Sequence, residues 1–73
     1  MNDRQFTALA SLAGARDSKA TAAARLVLVD GKRKAQAARE LGIDPAAVRM
    51  AVLRIEAAEV KAANLMEELR GLK

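Results

Sequence analysis

Apolar residues recur along this chain at the three- and four-residue intervals of a helix face. Phe6, Leu9, Ala10 and Ala13 form the first such set and predict a helix over residues 3–13. Asn2 or Asp3 supplies its N-cap, and Gly14 ends it. A polar stretch follows, in which Asp17 or Ser18 caps a second helix over residues 19–29. Its apolar side holds Ala22, Ala23, Leu26, Val27 and Val29. Leu26-Val27-Leu28-Val29 has strand propensity, but no partner strand is visible elsewhere, and Asp30-Gly31 is a helix stop. A third helix starts at Lys32 or Arg33 and runs to Leu41. Ala35, Ala38 and Leu41 share a face, with Ala37 beside it. Gly42 closes this helix, and Asp44-Pro45 opens a fourth. Asp caps well, and the N–H that Pro lacks would be unpaired at the first helical position anyway. No breaker interrupts the fourth helix before Leu69. It is either one long helix or two segments meeting near Ala57-Ala58.

The expected architecture is all-α: a compact helix-turn-helix domain of about four helices with an extended C-terminal helix. Residues 1–57 make the domain and residues 58–73 the C-terminal segment. The helix-turn-helix reading rests on residues 34–52. Two helices that meet at about 90–120° across a short turn make specific demands. A small residue is needed where the helices cross, and Ala38 fits. A residue tolerant of positive φ is needed four positions later, and Gly42 fits. Leu41 and Ile43 flank that glycine and plug the crossing. Val48, Val52 and Ile55 face inward, and Asp44 caps the second helix. A generic helical hairpin satisfies only some of these requirements.

In DNA-binding versions of this motif the second helix enters the major groove and its first turns meet base edges. The outward arc of the fourth helix holds Ala46, Arg49, Met50 and Leu53, with Arg54 at one side. Arg49 is the leading candidate for base contact, because a guanidinium grips guanine O6 and N7 together. Ala46 and Met50 suit thymine methyls. Lys32, Arg33 and Lys34, at the start of the third helix, are candidates for phosphate contact, with Gln36, Arg39 and Arg54 as further ones. Arg16, Lys19 and Arg25 read as general surface charge.

Charge agrees with that assignment. The chain has 73 residues, 13 Lys/Arg against 9 Asp/Glu, and a net charge of +4. Residues 1–55 hold ten basic and five acidic side chains, whereas residues 56–73 hold three and four. A basic body with a near-neutral tail suits polyanion binding followed by an interaction segment. The chain has no Cys and no His. That removes disulfides, the usual zinc ligands and the commonest general base. No phosphate-cradling glycine loop or carboxylate pair suggests catalysis, so no enzyme activity, cofactor, metal or small-molecule substrate is expected. No segment reads as a targeting or membrane-spanning sequence, and a cytoplasmic location is expected.

At Val27-Leu28-Val29-Asp30-Gly31-Lys32, followed by the helix-turn-helix, the chain resembles the TrfB/KorA family of plasmid repressors. The likeness continues through Gln36, Ala38, Leu41-Gly42, Ala47-Val48, Ala51-Val52 and Arg54-Ile55, with an echo at Gln5-Phe6. It covers roughly residues 5–57. The resemblance implies an all-helical repressor that dimerises through its C-terminal part and binds a palindromic operator. Two departures stand out. The family reads bases with polar residues at positions that are here Pro45 and Met50, which makes both base-contact candidates, and its separate C-terminal dimerisation domain is missing here or reduced to one helix.

That helix carries two apolar stripes. One runs through Val48, Val52, Ile55, Ala62, Met66 and Leu69, interrupted by Glu59. The other comprises Ala58, Ala62, Leu65, Leu69 and Leu72. A small domain has a marginal core, and an exposed amphipathic helix needs a partner. The face either folds back on the first helices or packs against its copy in a homodimer, with Ala58, Ala62, Leu65, Met66, Leu69 and Leu72 as the dimerisation set. The leading expectation is a sequence-specific regulator of transcription, a repressor that binds a palindromic operator in double-stranded DNA as a homodimer with residues 45–55 in the major groove. The alternative is a helix-turn-helix scaffold serving as a protein-interaction or DNA-packaging adaptor, for which the apolar Met50 and Leu53 speak.

Overall fold

Asn2 starts the first helix with reciprocal hydrogen bonds. Its side chain accepts from the Gln5 N–H at 2.8 Å, and its own N–H donates to Gln5 Oε1 at 3.0 Å. The computed structural model describes residues 1–71 and forms four helices: α1 (Asp3–Leu12), α2 (Lys19–Leu28), α3 (Lys34–Leu41) and α4 (Pro45–Gly71). The all-helical, four-element architecture expected from the periodicity is observed, and no strand forms among the described residues. Ser18 is the α2 cap, accepting from the Thr21 N–H. Asp44 caps α4, accepting from the Ala46 N–H at 2.9 Å.

α2 packs against both α3 and α4, and α1 lies across α2 and α4. The core is built largely of alanine. Ala23 and Ala24 of α2 and Ala37 and Ala38 of α3 are buried, and they enclose Val48, Val52 and Ile55 of α4 with Phe6 of α1. Small side chains let the helix axes approach closely, so a core with one aromatic ring still closes. Two details differ from the sequence expectation. Ala24, not Ala22, is the second buried alanine of α2, and Ala35 is exposed while Ala37 is buried. α3 touches α2 and α4 at once, so the adjacent positions Ala37 and Ala38 both face inward.

α4 is a single helix through Ala57 and Ala58. Its core-facing side is buried as far as Ala58, and beyond that point the helix leaves the body. The molecule is accordingly elongated, 48 × 18 × 16 Å. Ala58 is buried within the chain and so is not free to meet a partner, which corrects its assignment to the dimerisation set. Leu72, from the same set, lies outside the described residues.

Candidate nucleic-acid interface

The turn between α3 and α4 is made by Gly42, Ile43 and Asp44. Gly42 adopts φ 66°, ψ 37°. Its N–H donates to the Arg39 carbonyl at 3.3 Å, and the Ile43 N–H donates to the Ala38 carbonyl at 2.9 Å. This paired closure reverses the chain within three residues and satisfies the last carbonyls of α3. Ile43 and Leu41 are half-buried and pack against the core beside the turn. α4 is thereby anchored at its first turns, with Val48, Val52 and Ile55 inward.

The opposite face of those turns is open. Pro45, Ala46, Arg49, Met50, Leu53 and Arg54 are all exposed. Met50 and Leu53 are 54% and 52% exposed, high for large apolar side chains at the centre of a helix face. The outward arc expected from the sequence is therefore the observed one.

The basic residues divide into two groups. Lys32 donates from Nζ to both Glu40 carboxylate oxygens, at 2.8 and 3.0 Å. This pair ties the segment before α3 to its last turn, so Lys32 is partnered, unlike the other cations expected to meet phosphate. Arg25 likewise grips Asp3 with two hydrogen bonds of 2.7 Å, joining α2 to α1. Arg33, Lys34, Arg39, Arg49 and Arg54 are exposed and make no ion pair among the described residues. Gln36 is exposed on α3 as well.

α3 differs from the other helices at its start. Arg33 holds the N-cap position and its side chain makes no capping hydrogen bond. The other three helices are capped by Asn2, Ser18 and Asp44. The first N–H groups of α3 are thus left to solvent or a ligand, beside two cations.

One contributor was missed in the sequence. Arg16, read there as general surface charge, lies in the α1–α2 loop, and that loop folds against α4. Arg16 and Ser18 line a groove of about 410 Å³ together with Met50 and Arg54. No local signal reveals this, because it depends on how α1 crosses α4. Among the described residues no cluster of acidic side chains suits a metal, and no helix is long and apolar enough to cross a membrane. No protein-family model, curated protein or solved structure matches the chain.

Proposed function

We propose that this protein is a sequence-specific double-stranded DNA-binding regulator, a repressor. It acts as a homodimer whose two protomers each read one of two symmetry-related half-sites. The observation that carries this reading is the exposed first two turns of α4, held on a tight helix-turn-helix and bordered by unpaired cations. A helix presented in this way suits the major groove, and Arg49 would address guanine there. Arg33 and Lys34, beside the uncapped start of α3, suit a phosphate, since free N–H groups and the helix dipole both favour an anion at that end. Arg16 and Arg54 would straddle the strand at the far margin. The resemblance to the TrfB/KorA repressors points the same way.

The test is selection from a randomised duplex pool, followed by fluorescence anisotropy at two salt concentrations. The expected result is one enriched sequence, affinity that falls steeply with salt, and loss of selectivity in Arg49→Ala. Weak binding that enriches no sequence overturns the reading. The exposed Met50 and Leu53 would then mark the same face as a docking surface of a protein-interaction adaptor.

A further inference from the structure

Beyond Ala58, residues 59–71 extend α4 by about 20 Å past the three-helix body. Leu65, Met66 and Leu69 are 55%, 56% and 52% exposed there, and half-buried Ala62 lies between them and the body. These four residues continue the face that carries Val52, Ile55 and Ala58 into the core. The distal half of α4 is thus a core face without a core.

Charged residues border this stripe in a specific arrangement. At about 100° per residue, Lys61 and Glu68 fall within roughly 20° of each other along one margin, and Glu59 and Arg70 do the same along the other. All four are exposed, and none makes an ion pair among the described residues. Each margin holds one charge of each sign. The midpoint of Lys61 and Glu68 falls between Asn64 and Leu65, and so does the midpoint of Glu59 and Arg70. A two-fold axis through that point, with the helices turned end for end, sets each charge opposite its complement.

We infer that the distal half of α4 pairs antiparallel with the same segment of a second copy. Lys61 then lies opposite Glu68 of the partner subunit, and Glu59 opposite Arg70 of the partner subunit, with the two Leu65 side chains near the axis. This deepens the homodimer reading above and rests on it. Parallel pairing is opposed sterically. The body sits on the same face of α4 as the stripe, so two parallel arms would bring both bodies onto one another. Antiparallel arms place each body past the other's end. Leu12 of α1, which lines a groove with Ala62 and Leu65 of the stripe, adds an apolar edge for the incoming helix. Arms this short bury less than the roughly 800 Å² per partner of a standard interface, so the dimer is weak and depends on concentration.

Sedimentation velocity of the full chain across a concentration series tests this, with circular dichroism to show that each variant folds. Wild type is expected to dimerise, and Leu65→Asp to remain monomeric with its helicity intact. Lys61→Glu is expected to raise the dimer dissociation constant about tenfold, because each of two symmetry-related attractions becomes a repulsion. Adding Glu68→Lys to Lys61→Glu restores an antiparallel dimer. In a parallel pair the same double exchange sets like charges together at both margins and leaves association impaired. A wild type that stays monomeric at every concentration, or a double exchange that fails to restore association, overturns the proposal. Anisotropy on a single half-site duplex, run on the same samples, tests DNA reading separately, since a monomer retains its own α4 face.

Discussion

Gly42 carries the turn on which α4 depends, and its requirement is conformational. A Cβ added there meets nothing within 4 Å, yet φ is +66°. Gly42→Ala is therefore expected to cost about 1 kcal/mol from backbone strain alone, seen as a lowered urea midpoint with an unchanged slope. Ile55 presents the contrasting case, at 1% exposure and among the largest fully buried side chains. Ile55→Ala removes three carbons from a core otherwise made mostly of alanine and valine. It is expected to cost about 3 kcal/mol by the same measurement. Both residues were legible in the sequence: the glycine from its place between Leu41 and Ile43, the isoleucine from its spacing after Val48 and Val52. The Arg25–Asp3 and Lys32–Glu40 pairs were not. Their partners stand 22 and 8 residues apart, at separations fixed only once the helices have packed or the chain has turned into α3.

Among the helices, periodicity predicts existence better than facing. The starts of α1, α2 and α4 follow from Asn2, Ser18 and Asp44-Pro45, and the ends of α1 and α3 from Gly14 and Gly42. The buried sides of α2 and α3 do not follow as simply. Each short helix touches two neighbours, so adjacent alanines are buried where a single-face pattern expects residues three or four apart. The start of α3 supports a prediction at this scale. Arg33 and Lys34 flank a helix end without a side-chain cap. If both meet phosphate, replacing both with alanine reduces the slope of log affinity against log salt by about 2, since each phosphate contact contributes about 0.9. Selectivity among duplex sequences should survive, because phosphate contacts position the protein without reading bases. Arg49→Ala should do the reverse, relaxing selectivity with a smaller change in slope. Matched effects of the two changes on both quantities would remove the division between reading and anchoring residues.

For the whole molecule, the two faces of α4 have to be considered together. Ala46, Met50 and Leu53 lie about 150° round the helix from the centre of the Ala62, Leu65, Met66 and Leu69 stripe. The first set faces away from the body, and the second continues the side that packs on it. A two-fold axis between paired stripes therefore sets the two Met50 faces about 120° apart. Along the paired arms the two Met50 positions would stand roughly 44 Å apart. Adjacent half-sites on one duplex instead need both faces turned to the same side, about 34–36 Å apart. A dimer of this form suits two separated half-sites, so that it joins two stretches of duplex. With short duplexes that each hold one selected half-site, the expected complex contains two protomers and two duplexes by sedimentation, and duplexes carrying donor and acceptor dyes show energy transfer when mixed with the protein. Leu65→Asp should abolish that transfer while leaving single-duplex binding in place, because the arm is remote from Arg49. Two protomers on one duplex, with no transfer between duplexes, would mean that the stripe is not the surface holding the protomers together when DNA is bound.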